Sequence, residues 1–313
     1  MSVEQRQLAG KNGMSRKLGF FWSALTKDKM GFIGVFIVFG LILLSVVAPY
    51  IFPVESRANP QAIFQGPSSE HWLGTDNMGR DVWAQVANGG REIIFFSALT
   101  AFIAVFIGVA LGAAAALLGG KFDTLMVFLA DVWLTIPRFP LLVVLSGFFR
   151  LNSLTLAIIL AVLSWAGLFR SVRAEVMSLR QREFIEAALM LDLGLPHIIF
   201  KEILPNMMAF VSMNFTLMMR HAIYAQVGLV FLGLLPLERN WGVMINIAWT
   251  QGVLFFPDAI WFILAPTIAI ALLILGLVWM NRVLEGLFNP TLRSGDRNAK
   301  QIRKTTASSA FGG

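Results

Sequence analysis

Few residues of this 313-residue chain have a type and spacing that could carry chemistry. There is no cysteine, which excludes disulfides, thiolate metal sites and a cysteine nucleophile. The three histidines, His71, His197 and His221, lie far apart in sequence and show no metal-ligand spacing. A phosphate-binding loop needs G-x-x-x-x-G-K-[ST]. Gly120-Lys121 is the nearest approach, and it lacks both the earlier glycine and the hydroxyl residue. Neither H-E-x-x-H nor G-x-S-x-G occurs, so no intramembrane protease or hydrolase site is indicated. No catalytic residue, metal ligand set or cofactor site is expected on this chain. What stands out instead are charges inside apolar runs: Asp131, Arg138 and Arg220, with Asn214, Ser146 and Asn246 as milder polar interruptions. A charge near the centre of a bilayer costs at least ~2.5–3.5 kcal/mol on insertion scales, and such residues normally face a water-filled path or another helix. Asp131 and Arg138 are seven apart, which in an unbroken helix puts them on one face. These four, Asp131, Arg138, Asn214 and Arg220, are the candidates for lining a translocation path.

The elements that hold them are membrane helices. Apolar residues make up 57% of the chain and charged residues 14%, with a mean hydropathy of +0.72. A soluble domain carries roughly 25% charge and about 45–50% apolar residues. Burying this much apolar surface needs the bilayer as a second solvent, and the 27 glycines suit close approach of membrane helices. About 20 mostly apolar residues cross the hydrocarbon. The qualifying segments are Gly31–Phe52, Ile93–Leu118, Thr124–Phe149, Leu154–Phe169, Met207–Leu235 and Asp258–Phe288. The fold class expected is all-α, integral to the membrane, with about six transmembrane helices. The first segment is read as a retained span and not a cleaved signal peptide, because its polar leader is long and its apolar stretch exceeds the usual h-region.

Lysine and arginine set the orientation. With the N-terminus inside, 18 of the 25 Lys and Arg fall in cytoplasmic segments. Both termini are therefore expected in the cytoplasm, and the net charge of +7 finds its use there and not in binding nucleic acid. The tails, residues 1–30 and 289–313, are polar and basic, and the second reads as disordered. Between them lie the first span with its outer loop, residues 31–92, and a core of five spans, residues 93–288.

The long inside loop, residues 174–206, contains a short helix former, Glu183 to Leu193, stopped by Gly194 and Pro196. Phe184, Ile185, Leu189, Met190, Leu191 and Leu193 surround most of that helix, and an all-round apolar helix must be covered. Either a cytoplasmic partner protein or the inner ends of the chain's own spans could do so.

Three stretches resemble a known family. Glu186-Ala187-Ala188, followed by Ile203-Leu204-Pro205-Asn206, is similar to the EAA loop of ABC-importer permeases. Gly74-Thr75-Asp76 and Gly79-Arg80-Asp81-Val82, with Gly89-Gly90-Arg91 beyond, resemble the GTD…GRD-V…GAR stretch of the C-type permease of dipeptide and oligopeptide importers. Trp241-Gly242 resembles that subfamily's PxWG segment. The resemblance implies a type I importer permease whose EAA helix docks in a groove of an ATPase subunit. Phe184, Glu186, Ala187, Ala188, Leu191, Gly194 and Pro205 would carry that coupling. It implies two cytoplasmic ATPase subunits holding ATP and Mg, a second related permease, and an extracytoplasmic solute-binding protein. It further implies a bacterial or archaeal cytoplasmic membrane and a peptide cargo, with short oligosaccharides or nickel chelates as alternatives. The tryptophans toward the outside, Trp241, Trp249 and Trp261, could stack on sugars or anchor at the interface. A secondary transporter or channel is the more distant reading, since it predicts acidic coupling residues in several spans.

The chain departs from the family where its loop glycine is expected, a position filled by Asp192, with Gly194 two residues later. A shifted turn or a helix longer by half a turn is the expectation. The outer loop, Pro53–Gly90, is long for a connection. It has Gly74, Gly79, Gly89 and Gly90 as turn points and Asp76, Arg80, Asp81 and Arg91 as charges. Gly74, Asp76, Gly79, Arg80, Asp81 and Trp241 could dock a binding protein or gate the mouth. Alternatively, the charges simply close the turn on one another.

Overall fold

A computed structural model describes residues 28–54, 57–149, 152–235 and 240–288. The expected tails lie outside these, except for their innermost residues. Among the described residues the structure is helical, with only an isolated bridge between Thr75 and Asp81 for extended pairing.

Helix α1 (Lys29–Ile51) starts at Asp28, whose carboxylate accepts from the amides of Met30 and Gly31. Helix α2 (Val82–Leu118) is the longest, at 37 residues. Helices α3 (Gly120–Leu134) and α4 (Arg138–Phe148) follow, bent by 74° at the break between them. Helix α5 (Ser153–Arg180) runs back alongside α2, and Asn152 caps its start through the Thr155 amide. The short α6 (Glu183–Met190) leads through Leu195–His197, a π-helical turn Ile198–Ile203 and Leu204–Asn206 into α7 (Met208–Phe231). Helix α8 (Trp241–Thr250) is too short to cross a bilayer, and α9 (Trp261–Phe288) completes the bundle.

Four of these helices are long and apolar enough to cross a membrane, five with the bent α3–α4 pair counted as one span. At 24 residues, α7 has the length, ~36 Å at 1.5 Å per residue. Asn214, Arg220, His221 and Gln226 keep it out of that apolar set. The proposed spans thus map onto α1, α2, α3–α4, α5, α7 and α9, with three corrections. Helix α2 begins at Val82, eleven residues ahead of the expected Ile93, so the outer loop ends sooner. Gly89 and Gly90 are therefore helical and not turn points. The third span is broken at residues 135–137, where Pro137 cannot continue a helix. Asp131 and Arg138 consequently lie on two differently directed helices and not on one face. Finally, α5 continues to Arg180, well past the expected Phe169.

Close helix approach replaces bulky packing at the crossings. A Cβ on Gly34 of α1 would sit 2.5 Å from the Trp279 Cβ and 2.7 Å from the Met280 amide nitrogen of α9. A Cβ on Gly112 of α2 would lie 2.9 Å from the Phe169 carbonyl oxygen of α5. Without a hydrophobic drive between helices in lipid, such small-residue contact is what holds a bundle together. Large side chains point outward instead: Phe36, Phe39, Phe95, Phe102 and Phe106 are all exposed, as suits contact with acyl chains.

Candidate functional sites

The outer loop folds on a buried aspartate. Asp76 is fully buried and accepts hydrogen bonds from the Met78 amide at 2.8 Å, the Arg80 amide and Nε at 2.8 Å each, and Gln85 Nε2 at 2.9 Å. The Arg80 Nη2 completes an ion pair at 2.7 Å. Thr75 ties the turn back through its amide to the Gln65 carbonyl, and Asp81 caps α2 by accepting from the Ala84 amide at 2.7 Å. The other oxygen of Asp81 meets His71 Nδ1 at 2.8 Å. Gly74 and Gly79 take positive φ of 74° and 71° against carbonyls of Gln65 and Asn59, positions that a Cβ would enter. Asp76, Arg80 and Asp81 thus close the turn on one another and on His71, whereas Arg91 is exposed on α2.

Trp241 is buried too, with 1% of its surface exposed, so it offers no stacking platform to a sugar. Its Nε1 donates to the Val86 carbonyl at 2.7 Å. Its ring lies over Gly89 and Gly90: a Cβ on Gly90 would meet Trp241 Cζ2 at 2.6 Å and Ser45 Oγ at 2.4 Å. Gly89-Gly90 and Trp241, remote in sequence, form one contact that locks α2 to α8. Trp249 is exposed and packs its ring near Phe231.

The α6 helix presents two faces. Ile185 and Ala188 are buried against the chain's own helices. Phe184, Glu186, Ala187, Met190 and Leu191 are exposed, Met190 at 79% and Leu191 at 71%. Pro205 is also exposed. Both coverings considered from the sequence have a place: the chain covers one face and leaves the other open. The end of α6 corrects the expectation of a lengthened helix. Asp192 takes φ +50° and donates its amide to Leu189 O, while the Leu193 amide reaches Ala188 O. This is a Schellman termination with Asp192 in the left-handed place usually given to glycine. Gly194, φ +75°, opens the next turn.

The intramembrane charges separate into two groups. Asp131 pairs with Arg170 of α5, and Asp123 near the start of α3 takes a two-pronged contact from Arg173, both at 2.5 Å. Asp131 is thus an α3–α5 strap and does not join Arg138. Asn214 donates to the Phe210 carbonyl of its own helix at 2.9 Å, and Ser146 and Asn246 likewise donate to carbonyls, Val143 O and Phe231 O. Arg138 lines a cavity of about 330 Å³ with His221, Tyr224, Thr100 and Ser164. Arg220, next to His221 on α7, has its Nε buried with no hydrogen-bond partner among the described residues. Gln226 was not singled out from the sequence, yet it is wholly buried with neither amide atom bonded. The trace it leaves in sequence is a polar residue in an apolar run, shared with Asn214.

The sequence profile of the family described as "Binding-protein-dependent transport system inner membrane component" matches residues 93–288. That of the "N-terminal TM domain of oligopeptide transport permease C" matches residues 19–67. The chain belongs to the binding-protein-dependent permease family. A Brucella suis protein whose name describes a peptide permease is 34% identical over 263 residues, 81% of this chain and 86% of that one. The dipeptide transport system permease protein DppC of Alkalihalophilus pseudofirmus is 32% identical over 277 residues, 86% of this chain and 88% of its own. The oligopeptide transport system permease protein OppC of Bacillus subtilis is 29% identical over 239 residues, 74% of this chain and 78% of its own. This permease is accordingly a multi-pass membrane transport protein and not an enzyme.

Proposed function

We propose that this permease forms half of the translocation path of an ATP-driven peptide importer. The observation that carries the reading is the open apolar face of α6, held between two long helices by its buried Ile185 and Ala188. A helix anchored on one side and bare on the other can take a push from a partner and pass it into α5 and, through the π-helical turn and Pro205, into α7. The partner pair is two cytoplasmic ATPase subunits that hold ATP and Mg, and a second, related permease completes the path. An extracytoplasmic binding protein delivers the solute at the outer face, where residues 57–81 lie. The excess of Lys and Arg in the segments assigned to the inside puts both termini in the cytoplasm of a bacterial or archaeal cell. Peptide cargo is favoured over sugar because relatives carry peptide names and because Trp241 is buried.

The test is purification of the tagged full chain from its native membranes in mild detergent, with co-purifying subunits identified by mass spectrometry. Wild type should bring down two ATPases and a second permease. Met190→Asp with Leu191→Asp, two exposed positions, should lose the ATPases and keep the second permease. A wild-type chain that purifies alone, or a variant that keeps its ATPases, refutes the coupling role of α6. The pairing Glu186→Lys with Ala188→Asp is a poorer probe, since Ala188 faces the chain's own core.

A further inference from the structure

Three basic side chains gather near the middle depth of the bundle with no carboxylate to balance them. Arg138 stands at the first turn of α4, and its Nη2 lies 3.6 Å from where a Cβ on Gly167 of α5 would sit. It therefore reaches across α5 and not out to lipid. His221 of α7 lines the same cavity of about 330 Å³, and Arg220 precedes it. Arg220 is 12 residues into α7, ~18 Å along the helix, which is half its length. Neither arginine has an acidic partner among the described residues: the ion pairs join Asp76, Asp81, Asp123, Asp131, Glu202 and Asp28 to other groups. The cavity wall adds the hydroxyls of Thr100 and Ser164, and Thr100 Oγ1 is buried with no partner. The start of α4 adds its unpaired first amides, as no side chain caps that end.

Uncompensated cations at membrane depth persist where they do work on a charged solute. We infer that Arg138 and His221, with Thr100 and Ser164, form a carboxylate-binding site that receives the C-terminal carboxylate of a peptide in transit. The inference rests on the peptide-import reading above. Arginine suits the task because its planar fork meets a carboxylate in two parallel hydrogen bonds. The break at residues 135–137 has a role in this: it turns α4 so that its first turn, and Arg138 with it, meets α5 and α7. The site holds a carboxylate loosely enough to release it, since the cavity is shared with apolar Leu142, Leu160 and Met218.

The test is saturation-transfer NMR on the whole complex of both permeases and both ATPases in phosphatidylcholine nanodiscs, without binding protein. Trialanine and trialanine amide are the probes. Trialanine should bind at least tenfold more tightly than the amide, and Arg138→Gln with His221→Gln should bring it down to the level of the amide. Equal binding of acid and amide by wild type overturns the proposal without reliance on any variant. So does unchanged trialanine binding in the double variant, or no binding of either probe. Loss of trialanine binding in phosphatidylglycerol discs assigns the cations to a lipid phosphate and overturns it too. Trialanine uptake by cells carrying the full system separates the two claims. Uptake without a preference for the acid at this site sinks the carboxylate site alone, and no uptake sinks the peptide-import reading with it.

Discussion

Replacing Asp192 with glycine should tighten the end of helix α6. Asp192 sits at φ +50°, where a side chain crowds the backbone. A left-handed L-residue costs about 1–2 kcal/mol, and aspartate sits at the low end because its short polar side chain can bond locally. Glycine removes that cost but loses ~0.4–1 kcal/mol of chain entropy on ordering. The net gain expected is ~0.5 kcal/mol for Asp192→Gly, slightly more than a twofold change in a local opening equilibrium. Asp192→Val should go the other way by ~1–2 kcal/mol, since a β-branched residue is an outlier there. The three amides that report on it are those of Leu191, Asp192 and Leu193, which donate to Ala187 O, Leu189 O and Ala188 O. Hydrogen-exchange mass spectrometry of the assembled complex should show slower exchange across residues 190–194 in the glycine variant. The valine variant should exchange about five- to thirtyfold faster there. If valine exchanges as slowly as wild type, Asp192 is not the left-handed terminator and the account of the loop fails.

Two further outcomes are expected. Gly90→Ala puts a methyl group 2.4 Å from Ser45 Oγ and 2.6 Å from Trp241, so it should cost ~1–3 kcal/mol and lower the melting temperature of the detergent-solubilised chain; an unchanged melt removes the α2–α8 lock. Asp76→Ala strips the buried acceptor from Arg80 and should cost ~3–5 kcal/mol, seen as protease cleavage between residues 57 and 81 in right-side-out or spheroplast preparations; resistance equal to wild type counts against the folded loop.

The apolar runs of α1, α2, α5 and α9 were legible because transfer to lipid is written in composition, residue by residue. Helix α6 was legible for a similar reason: a short apolar helix between polar, basic segments is conspicuous. The meaning of Gly89 and Gly90 was not. Glycine serves equally as a turn and as a floor for a large ring, and the ring here comes from Trp241, whose indole bonds a carbonyl 155 positions away. The pairing of Asp131 was illegible in the same way. Spacing suggested Arg138 on one face, but Pro137 ends the face first, and Arg170 from α5 takes the carboxylate. In both cases the local rule was sound and the partner lay on another helix.

The least apolar of the long helices is the one that the importer reading needs most. Helix α7 carries Asn214, Arg220, His221 and Gln226 along about half of its length, a composition that lipid on all sides would penalise heavily. Each of its polar groups has a different fate: Asn214 bonds to its own backbone, His221 lines the cavity, and Gln226 and the Arg220 Nε have no partner among the described residues. A helix built only to span would bury such groups in pairs. One that lines a path between two chains need not, because water, solute or the facing permease supplies the missing partners in turn. Helix α7 follows the helical connector after α6, so on the importer reading a push on α6 reaches this polar wall as well as α5. Motion and polarity are thus joined in one continuous stretch, residues 183–231, and a permease that alternates between two faces needs that continuity.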